Sequence, residues 1–183
     1  MKNLRILAIA ILTVVSLNSC SNDDKAVNED EVITTVTTTL TGGGQTITLR
    51  SRDLDGDGPN APVVTVSGPL TAGTNYTGAV TFLNEIANPI DNITLEVLEE
   101  GVDHQLFFQA PSALGTFAYS DTDANGKPIG LQFTFVTGSA TTGNLLLTLR
   151  HEPNKTGVGV SSGDITNAAG ATDAAVTYPM LIQ

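Results

Sequence analysis

A chain of 183 residues with a net charge of −11, one cysteine, no tryptophan and 5% aromatics has room for one domain and rules out several classes of protein. An acidic surface repels nucleic acid and anionic headgroups, a single thiol closes no internal disulfide, and so few rings make a poor platform for stacking sugars. Cations are its natural small partners.

The chain begins with basic Met1-Lys2-Asn3-Leu4-Arg5, followed by an apolar run over residues 6–15. A transmembrane helix needs roughly 20 apolar residues, so this run has the length of a signal-peptide core instead. It ends in Leu17-Asn18-Ser19-Cys20, which resembles the lipobox of bacterial lipoproteins: leucine, a small residue at the cut, then cysteine. Residues 1–19 therefore read as a lipoprotein signal peptide. Cys20 is the expected lipid attachment site, its thiol taking diacylglycerol before cleavage, and the membrane is then the first partner. Cleavage removes Lys2 and Arg5 but no acid, leaving six basic against 19 acidic residues, a net −13.

Residues 20–30 hold little to bury and predict a flexible acidic tether. Ser21-Asn22-Asp23-Asp24 resembles the surface-export signal of Bacteroidetes lipoproteins. The expected location is the outer membrane, on its periplasmic face or at the cell surface.

From residue 31 the pattern turns to period two. Val, Ile and Thr alternate over residues 32–39, Gly42-Gly43-Gly44 interrupts, and residues 45–50 alternate again, which predicts a hairpin. Further strands are predicted over 63–67, 75–85, 93–98, 105–109, 116–119, 131–137, 145–151 and 174–182. Gly68-Pro69, Asn88-Pro89, Pro111-Ser112, Asn125-Gly126 and Gly143-Asn144 supply turn chemistry between them. No stretch keeps a helical spacing beyond two turns. The expected fold is all-β: residues 31–183 as a single antiparallel β-sandwich, immunoglobulin-like in architecture. Phe82, Phe107, Phe108, Phe133, Phe135, Leu145, Leu147 and Leu149 are its predicted core.

Two loops carry candidate chemistry. Asp53-Leu54-Asp55-Gly56-Asp57-Gly58 and Asp121-Thr122-Asp123-Ala124-Asn125-Gly126 both fit the opening of a calcium loop, in which alternate oxygen side chains face one ion. Asp53, Asp55, Asp57, Asp121, Asp123 and Asn125 are thus candidate calcium ligands. The motif also wants Glu at its twelfth position, where Val64 and Gln132 stand, and the same residues suit tight turns between strands. The only histidines, His104 and His151, lie 47 positions apart near predicted strand ends. Were those ends neighbours, two imidazoles and a carboxylate from Glu152, Glu100 or Asp103 would suit zinc or copper. Glu152, adjoining His151, is taken as the third candidate ligand. No serine sits in a nucleophile-elbow context, and no glycine-rich segment leads into a helix as a phosphate loop does. An enzyme is not expected.

The segments Glu31-Val32-Ile33-Thr34-Thr35, Asp53-Leu54-Asp55-Gly56-Asp57-Gly58-Pro59-Asn60-Ala61-Pro62, Asp103-His104-Gln105-Leu106-Phe107-Phe108, Leu149-Arg150-His151-Glu152-Pro153-Asn154-Lys155 and Gly163-Asp164-Ile165-Thr166-Asn167-Ala168 resemble a family of small Bacteroidetes lipoproteins, chiefly flavobacterial. The resemblance implies work beside an outer-membrane TonB-dependent transporter and brings no catalytic residues. Such proteins often carry the label of a type 1 periplasmic binding fold. That is a two-domain α/β structure, and no alternation of strand and helix is present here to build it. The expected function is that of a lipid-anchored, non-enzymatic binding protein of the cell envelope, accessory to such a transporter or capturing a metal. The alternative is a structural or adhesive surface lipoprotein with calcium-stiffened loops.

Overall fold

The structure, a computed structural model, describes residues 31–56 and 58–183. The signal peptide, Cys20, the tether and Asp57 lie outside the described residues.

The chain enters through residues 31–34 and forms β1 (Thr35–Gly42) and β2 (Gln45–Arg52) as the predicted hairpin. Gly43 and Gly44 make its two-residue turn at φ +57° and +77°, left-handed conformations that such a turn demands and glycine adopts freely. Then follow β3 (Val63–Val66), β4 (Asn75–Leu83), α1 (Ile93–Glu99), β5 (His104–Gln109), β6 (Gly115–Tyr119), β7 (Gln132–Thr137), β8 (Thr141–His151) and β9 (Ala171–Ile182). Two antiparallel sheets result, ordered β3-β2-β1-β4-β7-β6 and β5-β8-β9. The expected sandwich is therefore present.

Period-two alternation gives each sheet one apolar face, and the two faces share a core. Val36, Leu40, Leu49, Phe82, Phe133 and Phe135 come from the larger sheet and meet Leu106, Leu145, Leu147, Leu149 and Tyr178 from the smaller. Each such side chain contributes about 1.5–3 kcal/mol by leaving water. The Tyr178 hydroxyl donates to the Val36 carbonyl at 3.0 Å, tying the sheets together across the core. The Leu70 and Gln183 amides add a second tie by bonding the Leu181 and Leu70 carbonyls.

Three expectations are corrected. Residues 93–98 form α1, not a strand: Ile93 and Val97, four apart, are its buried residues, whereas Ile93, Leu95 and Val97 had suggested alternation. The helix also finishes the edge of β4, since the Thr94 hydroxyl accepts from the Phe82 amide at 2.8 Å and donates to its carbonyl at 3.1 Å. Gly143-Asn144 is no turn but lies within β8, where a Cβ on Gly143 would stand 3.0 Å from Leu114. Among the predicted core residues, Phe107 and Phe108 face opposite ways, as neighbours in a strand must. Phe108 packs partly buried against the main core, with its ring 4.3 Å from that of Phe133. Phe107 lies in a small outer cluster with Val160 and Ala168, under the segment carrying two single-turn 3-10 helices, Val160–Ser162 and Ile165–Asn167.

Candidate metal centre

The register of the smaller sheet brings the two histidines together. β5 begins at His104, β8 ends at His151, and the two residues are direct cross-strand partners. Their rings stack with centroids 4.8 Å apart and planes 14° off parallel. On the other side of β8 the pairing with β9 slips: Leu149 faces Ala174 but Arg150 faces Thr172. The extra residue is Asp173, and the bulge re-aims its side chain, placing Oδ2 3.7 Å from His104 Nε2 and Oδ1 3.8 Å from His151 Nδ1. Glu31, ahead of β1, completes the group with Oε1 3.2 Å from His104 Nε2.

The cluster is almost closed to solvent. His104 is fully buried, and the side chains of Glu31, Asp173 and His151 are 6%, 10% and 12% exposed. His104 Nδ1 lies 3.2 Å from the Glu100 carbonyl, which selects the tautomer with the proton on Nδ1 and the lone pair of Nε2 facing the carboxylates. Metal-bound histidines are commonly oriented in this way. Neither Nε2 of His104 nor Oε2 of Glu31 makes a hydrogen bond, although both atoms are buried. The 3.2 Å approach of Nε2 to Glu31 is thus an ion-pair distance without hydrogen-bond alignment. A buried polar atom left this way is unfavourable by about 1–3 kcal/mol, and a bound cation would satisfy both.

Two overlapping sets of ligand atoms result, His104–His151–Asp173 and Glu31–Glu100–His104, with the atoms of each set within 4.8 Å of one another. Ligands of one tetrahedral zinc ion at about 2.0–2.1 Å stand ~3.4 Å apart, so binding requires the side chains to close in by up to ~1.4 Å and the stacked imidazoles to turn toward the ion. Nitrogen and carboxylate oxygen suit zinc, copper or nickel better than the softer thiolate-seeking ions. A proton competes for the same place. Burial disfavours the His104 imidazolium, but the Glu31 carboxylate, the Glu100 carbonyl and Asp173 more than offset this and hold its pKa above the ordinary value.

The structure therefore joins His104 and His151 but supplies carboxylates other than Glu152. Glu152 is exposed, sits at φ +49° and turns the chain out of β8, its amide donating to the Asp103 carbonyl at 2.6 Å. Its side chain belongs to neither ligand set among the described residues. Asp173 and Glu31 were the residues missed. Asp173 stood one residue ahead of the predicted strand over 174–182, where an acidic residue is ordinary, so no local signal marked it.

The two acidic loops hold their oxygens differently. In the first, Asp53 Oδ1 accepts from the amides of Asp55 and Gly56, while Asp55 Oδ2 accepts from the amide and side chain of Asn60. These bonds, the Asn60 side chain foremost, hold the Asp55 carboxyl below its usual pKa. In the second, Asp121 takes the amides of Gly130 and Gln132. Asp123 Oδ1 takes those of Asn125 and Lys127, and Oδ2 takes the Lys155 ammonium at 2.9 Å. Lys155 also donates to the Gly101 and Pro128 carbonyls. A buried lysine thus stands where the second motif would put its cation, and the exposed Asn125 side chain lies apart from it.

Comparison with known protein families, with curated proteins and with solved structures found no match for this chain.

Proposed function

We propose that the protein is a lipid-anchored, non-enzymatic protein of the cell envelope whose sandwich binds one transition-metal ion, zinc or copper, through His104, His151, Asp173 and Glu31. The observation that carries this reading is the cross-strand stacking of the chain's only two histidines against two nearly buried carboxylates. Convergence of the two ligand sets on the shared His104 would give four protein ligands, which fill a tetrahedral ion and leave no open position, as suits a structural or carrying site. The lipobox-like Leu17-Asn18-Ser19-Cys20 supports the anchor. The resemblance to flavobacterial lipoproteins supports a station beside a TonB-dependent transporter in the outer membrane.

The test is zinc titration of the mature chain, residues 20–183, against a chromophoric chelator. The expected result is one ion per chain, with binding weakened at least a hundredfold by His104→Ala or His151→Ala and unchanged by Glu152→Gln. Absence of binding by zinc and copper alike would leave the cluster as an imidazolium held between two carboxylates and would remove the metal reading.

A further inference from the structure

Three of the four ligands sit on strands of the smaller sheet: His104 on β5, His151 on β8 and Asp173 on β9. The fourth does not. Glu31 precedes the larger sheet, and only eleven positions separate it from Cys20. The first hydrogen bond of this incoming segment to the sandwich comes three residues later, where the Thr34 amide and hydroxyl donate to the Leu83 carbonyl at 2.9 and 3.1 Å, next to Ile33, which packs partly buried against the core. Residues 31–34 themselves belong to neither strand nor helix. The Glu31 side chain is nevertheless 6% exposed, with Oε2 buried and without a hydrogen bond.

From this placement we infer that metal binding works as a latch on the chain leading to the membrane anchor, with Glu31 as the movable ligand. The inference rests on the metal reading above. A bound ion joins the incoming segment to the smaller sheet and fixes the point from which residues 20–30 run to the bilayer. Without the ion, Glu31 faces His104 off the hydrogen-bonding axis, and the first firm attachment is the packed Ile33 with hydrogen-bonded Thr34. At ~3.3–3.6 Å of reach per residue, releasing two residues lengthens the leash by ~7 Å and frees the domain to reorient. Metal occupancy thereby sets how far and in which direction the sandwich stands from its membrane. Asp173 and the histidines cannot do this, since sheet pairing holds their backbones whether or not an ion is present.

A glutamate-specific protease tests the latch on the mature chain, because it can cut after both Glu29 and Glu31. A saturating ligand lowers the population of the open form by the factor it binds the closed form more tightly. With zinc at 100 times its dissociation constant, cleavage between Glu31 and Val32 should slow at least tenfold, while cleavage between Glu29 and Asp30 keeps its rate. Reciprocity of linkage requires the other arm: Glu31→Gln should weaken zinc at least tenfold. If zinc binds but the cleavage ratio does not move, or Glu31→Gln binds zinc as tightly as the wild type, the latch is wrong and the metal site stands. If neither zinc nor copper binds, both fall.

Discussion

The most exacting prediction concerns Lys155, a residue that no sequence motif singled out. Its side chain is 6% exposed and that of its partner Asp123 1%. The ammonium satisfies one carboxylate oxygen and two backbone carbonyls from separate segments. Burial alone would push the Asp123 pKa up, but Lys155 and the Lys127 and Asn125 amides outweigh it and hold the carboxyl below its ordinary value. Burial also pulls Lys155 down, and there Asp123 offsets only part of the effect, because the other acceptors are neutral carbonyls. Lys155→Met preserves much of the apolar stem and removes only the charge, leaving Asp123 as an uncompensated buried anion. Breaking a buried pair in this way destabilises by about 3–5 kcal/mol. In a domain of this size each kcal/mol lowers the melting temperature by about 2–4 °C, so a fall of ~6–20 °C is expected in thermal denaturation followed by circular dichroism. Adding Asp123→Asn should restore part of the loss, with a coupling of about 1–3 kcal/mol in the double-mutant cycle. A Lys155→Met protein melting within 3 °C of the wild type would refute the assignment of Lys155 as the internal cation of that loop.

Millimolar calcium should leave the melting temperature of the wild type unchanged, because the described carboxylates of both acidic loops are already committed to amides, Asn60 and Lys155; a rise of more than 2 °C would overturn this. Glu85, held down to about 2 by Arg52 first, then by the Thr35 hydroxyl and Arg50, should still be ionised at pH 3.5. Since its folded pKa lies below the ordinary value, its contribution to stability is complete above pH 4.5 and is lost as pH falls through about 2. A carboxyl carbon titration with its midpoint above 4 would contradict this. Thr94→Val removes the hydroxyl that serves both backbone groups of buried Phe82 and should destabilise by about 1–3 kcal/mol in urea unfolding, whereas an unchanged midpoint would mean that water replaces it.

Alternation carried the sequence reading well wherever a strand has one wet and one dry face. The β1–β2 hairpin was legible because Gly43 and Gly44 can take the turn that few other residues tolerate. The helix α1 was missed for a reason intrinsic to seven residues: Ile93, Leu95 and Val97 fit period two as readily as Ile93 and Val97 fit a helix. Thr94, whose role depends on Phe82 twelve positions earlier, gives no local sign. The histidine–carboxylate cluster was half legible. Two lone histidines invite pairing, but the register that joins them is set by apolar neighbours such as Leu106 and Leu149, and the bulge that aims Asp173 leaves no mark in Ala171-Thr172-Asp173-Ala174. Burial of Glu31 is a property of the assembled sandwich, which no window of sequence around residue 31 contains. In the acidic loops a turn and a cation loop ask for the same residues, and in the second loop the cation on Asp123 comes from Lys155, more than 30 positions away.

The bond between Tyr178 and Val36 spans 142 positions and bears on when the molecule becomes competent. Contacts this distant in sequence form late, after the intervening loop has been closed. Until β9 is in place, Leu145, Leu147 and Leu149 lack their neighbouring strand, and Asp173 has no bulge to aim it. A chain still lacking its last strand therefore has neither a finished core nor an assembled cluster of His104, His151 and Asp173. On the proposed metal reading, uptake of an ion then waits on the pairing of β9, and the site is the last part of the molecule to become competent.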